Sequence, residues 1–191
     1  MLLNIDRSLV TVLNHWGMNY TLLIKVLSEY LVFAVLLIAV VGFLLWAFRR
    51  YQPGAGVKFV LKDLLVQGIK IFVIPVGLAT AMSEIISSLF VRQRPFVTTK
   101  DVKLLVPHGA DGGMPSHHMV FMMSIAVMVY LFNKKLSLLL IALSVISGIA
   151  RISAGIHYPS DVLAGALLGG VPAITYARIM LKSGNNHLAL K

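Results

Sequence analysis

Cysteine is absent from this 191-residue chain, which excludes a disulfide framework, thiolate catalysis and sulfur-ligated metal centres. Charge is scarce as well. Asp, Glu, Lys and Arg make up 13% of the residues, against roughly a quarter in soluble domains. Acid is the rarer sign, with 7 Asp and Glu against 17 Lys and Arg. Hydrophobic residues fill 58% of the sequence, and the mean hydropathy is +0.87. Disorder, a small secreted scaffold and a repeat solenoid are thereby excluded, and an integral membrane protein is expected. The net charge of +10 does not imply nucleic acid, because no basic soluble segment concentrates it. In so apolar a chain, basic residues mark cytoplasmic loops and contacts with membrane lipids.

Hydropathy and turn residues divide the chain. Residues 1–20 scatter Leu9, Val10, Val12 and Leu13 among polar side chains, with Trp16 and Tyr20 near the end, the pattern of an interfacial helix. Asp6 and Arg7 interrupt any apolar run, so no cleaved secretory leader is expected and Met1 is expected to be retained. A first span is read at Leu22–Phe48, stopped by Arg49 and Arg50. Gln52-Pro53-Gly54 reads as a turn. Val57 to Lys70 reads as a helical stretch carrying Lys58, Lys62, Asp63 and Lys70, and Ile71–Val91 as a second span kinked at Pro75.

Residues 92–115 form a polar loop with three prolines and three glycines, long enough that a functional role is expected. Further spans are read at His117–Phe132, Leu136–Ile152 and Val162–Met180, where Gly169-Gly170 permits close helix packing. Residues 181–191 read as a cytoplasmic tail. The fold class is all-α, a polytopic membrane bundle of about five to six transmembrane helices plus the N-terminal interfacial helix. Residues 1–191 are read as one membrane-embedded domain, since the spans leave too little chain for a second.

With five spans, ten Lys and Arg fall on one side, Arg49, Arg50, Lys134 and Lys135 among them, and seven on the other. The first side is assigned to the cytoplasm, with the N-terminus outside. Three polar segments then share the outer face: Arg92–Pro95, Pro115–His118 and Arg151–Asp161. Their cations, hydroxyl and imidazoles suit a tetrahedral dianion at the membrane boundary, where such groups are costly unless functional.

A neutral imidazole can attack phosphorus, and a nearby carboxylate can hold the ring by accepting its other N–H; His157 and Asp161 fit those roles. Pro159 suits the first turn of the last span, which places Asp161 at its positive dipole end. His118 opens the third span beside backbone N–H groups that favour anions, and is the candidate general acid for the leaving oxygen. Glu84 is kept as an accessory candidate, and Glu29 is left open between a pair with Lys25 one turn away and a functional role.

These segments resemble the type 2 phosphatidic acid phosphatase superfamily, whose motifs are written K-x6-R-P, P-S-G-H and S-R-x5-H-x3-D. The third reads here Ala150-Arg151, five residues, His157, three residues, Asp161. The second reads Pro115-Ser116-His117-His118, with His117 in the glycine place. The first ends in Arg94-Pro95 and has Ser87 in place of lysine. The resemblance implies that His157 becomes a phosphohistidine, Asp161 orients it and His118 protonates the leaving group. Arg94, Arg151 and Ser116 would hold the phosphate, His117 would contribute a backbone N–H, and Arg92 would supply the charge missing at Ser87. It implies no metal and no other cofactor.

The Glu29-Tyr30, Arg-Pro-Phe and Gly-Ile-His-Tyr-Pro segments resemble the bacitracin-resistance type of undecaprenyl pyrophosphate phosphatase. The implied partner is a lipid phosphate or pyrophosphate, met at the outer face of a bacterial inner membrane, toward the periplasm or cell exterior. Phosphatidylglycerophosphate, phosphatidic acid and lipid A are the alternative substrates within the superfamily. A small anion-attracting transporter, and a metallohydrolase using His117, His118 and His157, are the alternatives outside it.

Overall fold

A computed structural model describes residues 2–51, 54 and 56–182. Gln52 and Pro53 of the expected turn, Met1 and the tail from residue 183 lie outside the described residues. Helix α1 (Leu2–Met18) precedes α2 (Thr21–Phe48), α3 (Val57–Leu89), the short α4 (Pro95–Thr98), α5 (His117–Val129), α6 (Lys134–Ser153) and α7 (Pro159–Lys182). Helices α2, α3, α6 and α7 are long and apolar enough to cross a membrane, and α5 is a shorter apolar helix. The chain is a multi-pass helical membrane protein.

Helix α5 forms the axis. Its 13 residues are apolar nearly all round, as a helix enclosed by others must be, and at about 1.5 Å per residue it rises only about 20 Å. It ends at Val129 rather than Phe132, because Asn133 starts a new helix by accepting the Leu136 N–H on its side chain at 3.0 Å. The core gathers on it: Met122, Ile125, Met128 and Val129 with Val35 and Phe43 of α2, Ile71 of α3 and Ala173 of α7.

Helix α3 is continuous over 33 residues, so the charged stretch from Val57 and the span from Ile71 are one helix rather than two. Asp63 is held by the Tyr51 hydroxyl at 2.8 Å. A π turn at Ile69–Val73 leads into Pro75, which lacks the N–H that would continue the α ladder. A second π turn, Val26–Tyr30, interrupts α2.

The close approach of α5 and α7 uses Gly165 and Gly169 rather than the adjacent pair 169–170. A Cβ on Gly165 would lie 2.9 Å from the Met119 Cβ, and one on Gly169 would run into the Val120 carbonyl oxygen, 3.0 Å from its Cα. A Cβ on Gly170 meets only side-chain atoms, Met123 at 3.4 Å and Val127 at 4.0 Å. Gly169→Ala is therefore expected to cost about 1–3 kcal/mol, seen as a fall in thermal midpoint in detergent. Gly170→Ala, followed by the same circular-dichroism melt, is expected to leave the midpoint nearly unchanged.

Helix α1 buries a stripe that is mostly polar. Asp6, Val10 and Asn14, spaced four apart on one stripe, are buried against α6 and α7, whereas Leu3, Leu9, Val12 and Trp16 are exposed. Asn14 donates to the carbonyls of Lys103 and Ser153 and accepts the Lys103 N–H, each at 2.8 Å.

Candidate active site

The long loop is pinned across the start of α7 by backbone bonds. Phe96 N–H reaches the Gly155 carbonyl at 3.1 Å, Leu105 the Ala154 carbonyl at 3.1 Å and Ser116 the Asp161 carbonyl at 3.1 Å. Gly155 turns the chain at φ +79°, and a Cβ there would lie 2.7 Å from the Lys103 carbonyl. Only glycine adopts that conformation at no steric cost.

This frame brings His157, Arg94 and Arg151 together, all buried. His157 Nδ1 lies 2.8 Å from the Gly113 carbonyl, which can only accept, so Nδ1 carries the hydrogen and Nε2 keeps its lone pair. Nε2 lies 3.5 Å from Nη1 of Arg94 and 3.4 Å from Nη2 of Arg151. Burial first, and then the Arg151 and Arg94 charges, hold the imidazole well below the usual histidine range, so it is neutral at physiological pH.

Both cations are themselves anchored. Arg94, the residue before the Pro95-led turn of α4, donates from Nε to Asp111 at 3.0 Å, from Nη1 to the Ile156 carbonyl at 2.9 Å and from Nη2 to the Gly112 carbonyl at 3.1 Å. Arg151 donates to the Ser28 carbonyl at 2.9 Å. Ser28 lies in the first π turn, whose altered register can leave a carbonyl for an outside donor. Arg151 Nε and the buried Ser116 Oγ have no hydrogen-bond partner among the described residues. Beside them opens a cavity of about 350 Å³ lined by His118 and Arg151, with Glu29 and the loop residues Pro107, His108 and Gly109.

Three expected contacts come out differently. Asp161 Oδ2 lies 3.9 Å from His157 Nδ1, beyond hydrogen-bond reach, because the Gly113 carbonyl occupies that position. Asp161 instead accepts the Tyr158 N–H at 2.8 Å, reaching back from the third helical position to close the start of α7 as a capping-box acid does. Arg92, expected on the phosphate, spends its guanidinium elsewhere: Nη1 donates to Asp161 at 2.7 Å and to Ser160 at 2.6 Å, and Nη2 to Asp6 at 2.8 Å. Its plane lies over the Tyr158 ring, 4.0 Å from the centroid.

His117 turns from the cavity toward Glu84, 3.4 Å away, and Ser83. Three imidazoles therefore do not converge, and among the described residues no group of three or more His, Asp or Glu could hold a metal ion. Glu84 is largely exposed beside His117, while Glu29 faces the cavity.

Sequence reading missed Gly113, Asp111, His108 and Asp6. Only the adjacent Gly112-Gly113 before Pro115, and the four-residue spacing of Asp6, Val10 and Asn14, carried a signal for them.

Two buried guanidiniums facing the unprotonated nitrogen of one imidazole in a membrane bundle suit the handling of a phosphoryl group. Residues 68–185 match the PAP2 superfamily, and the chain belongs to it; it is a lipid phosphatase. It is 33% identical over 175 residues to the bacitracin transport permease protein BcrC of Bacillus licheniformis, covering 90% of this chain and 78% of that one. It is 27% identical over 147 residues to the undecaprenyl-diphosphatase BcrC of Bacillus subtilis, covering 76% and 69%. The crystal structure of LpxE from Aquifex aeolicus has a similar fold, with TM-score 0.56 and 23% identity over 82% of this chain and 93% of that one.

Proposed function

We propose that this protein hydrolyses undecaprenyl pyrophosphate to undecaprenyl phosphate and phosphate through a phosphohistidine on His157. The observation that carries the mechanism is the geometry at Nε2: Nδ1–H is fixed on Gly113, so Nε2 is unprotonated, and it faces two guanidiniums within 3.5 Å where a phosphoryl group would be held. Nε2 attacks the terminal phosphorus as the bond to the bridging oxygen breaks. His118 protonates the departing polyprenyl phosphate, and Arg94, Arg151 and Ser116 hold the phosphoryl oxygens. His118, now neutral, takes a proton from the water that cleaves the P–N bond and releases phosphate. His117 contributes its backbone N–H at the start of α5. No metal or cofactor takes part.

The substrate choice is supported by the BcrC relatives. It is tested by measuring kcat/KM for polyprenyl pyrophosphate beside phosphatidylglycerophosphate, phosphatidic acid and lipid A in one detergent. The pyrophosphate is expected to lead; a tenfold preference for another lipid, about 1.4 kcal/mol in transition-state binding, overturns the assignment.

The site is assigned to the outer face of a bacterial inner membrane, with residues 92–115 as the outer active-site loop, 1–20 as the interfacial helix and 181–191 as a cytoplasmic tail of the single domain. In a chain without cysteine, Ala110→Cys is expected to react with an impermeant maleimide in intact cells, and Lys135→Cys only after permeabilisation. The reverse pattern inverts the topology.

A further inference from the structure

We infer that Asp6, on the N-terminal helix and outside the family match at residues 68–185, is a positioning residue that sets the charge balance at His157 through Arg92 and Asp161. The inference rests on His157 being the nucleophile.

Ion pairs link Asp6 to Asp161 through Arg92, and from Asp161 the charge acts on His157 through space. Asp6 Oδ2 accepts Arg92 Nη2 at 2.8 Å, and Arg92 Nη1 donates to Asp161 Oδ1 at 2.7 Å. The other oxygen of Asp161 lies 3.9 Å from His157 Nδ1. Asp6 also accepts the Ser160 N–H at 3.1 Å and the Ser160 hydroxyl, so a carboxylate from α1 closes the N-terminus of α7, where negative charge is favoured.

Charge arithmetic gives the pairing its meaning. Arg92 and Asp161 alone sum to zero. With Asp6 the trio carries −1, next to a ring that becomes cationic once Nε2 bonds to phosphorus. Around that ring the other charges are mostly positive: Arg94 from the long loop, Arg151 from α6 and, when protonated, His108 and His118 across the cavity, with Glu29 of α2 and Asp111 of the loop opposing them. Asp6 therefore supplies the negative charge that Arg92 would otherwise cancel.

Burial works to raise the Asp6 carboxyl, but Ser160 and Arg92 outweigh it and hold Asp6 below the usual range, so it is ionised at neutral pH. Asn14, two turns further along the same stripe, bolts α1 to the bundle without a charge. It separates docking from electrostatics.

The test compares the full-length variants D6N, D6E and N14A with wild type in kcat, KM and the acid limb of the kcat/KM profile. D6N is expected to lower kcat about tenfold with KM within threefold. Its acid limb is expected to move to lower pH, because losing a nearby negative charge makes protonation of His157 harder. D6E is expected to restore the limb, and N14A to lower the thermal midpoint while leaving the limb in place.

A wild-type limb and kcat in D6N, or an N14A limb that shifts equally, overturns the inference. Should D6N not be recoverable as folded protein, a D6E limb shifted like that of a charge loss overturns it. His157→Ala in parallel separates the two readings: turnover surviving there removes the nucleophile itself, whereas turnover lost there with D6N unaltered removes only the role of Asp6.

Discussion

Replacing His157 by alanine is expected to reduce turnover at least about 10⁴-fold, because the attacking lone pair goes with the ring. The phosphoenzyme trapped by acid quench from labelled substrate is expected to vanish with it. The variant's thermal midpoint checks that the loss is chemical. The kcat/KM profile of the wild type supplies a second reading. Burial and the two arginines hold the imidazole well below its usual range, so the neutral, attacking form persists below pH 6.5 and the acid limb is expected to lie lower than that of an ordinary histidine. The sign for stability is the same. The unfolded chain binds this proton near pH 6.5 and the folded one does not, so this site's contribution to stability falls as the pH drops below about 6.5. A retained phosphoenzyme in His157→Ala would transfer the nucleophile to another residue.

His118→Ala is expected to show the second large effect, about 10²- to 10⁴-fold, with the size set by the leaving group. An alkyl phosphate departs as an alkoxide and needs the proton most; an aryl phosphate needs it least; a pyrophosphate, which releases a phosphate monoester, lies between. Rates for one substrate of each kind should fan out in that order in the variant and lie closer together in the wild type. Equal losses across all three would give His118 a role in binding alone. The half-buried place of His118 at the opening of α5, on the same cavity wall as Arg151, is the geometry on which this expectation rests.

Much of this was legible in the sequence, and the limits have physical causes. Hydropathy located the first, fourth and fifth spans closely, since twenty consecutive apolar residues admit few alternatives. Arg94, Ser116, Arg151 and His157 stand at motif spacings set by loop and helix starts, while their mutual arrangement came only from the fold. The π turns left no mark in composition, yet one of them presents the Ser28 carbonyl to Arg151. Gly113 acts through a backbone oxygen, and no side-chain pattern reports what a carbonyl will accept. The partners of Asp6 and Asn14 lie more than 80 positions away, so their place on the buried stripe of α1 could not be read from local pattern. Arg92 was assigned to the substrate because charge near a motif was counted without its partners; two carboxylates already hold it.

The inward stripe of α1 bears on how the molecule is put together. Asp6 finds its partners in Arg92 and in Ser160, 154 positions later, and Asn14 finds one of its own in Ser153, 139 positions later. Neither can be satisfied by neighbouring chain, and in an apolar medium an unpaired carboxylate or amide is expensive. The stripe on α1 therefore reaches its partners only once α6 and the start of α7 are in place, and a chain stopped short of residue 153 would leave both Asn14 and Asp6 without these late partners.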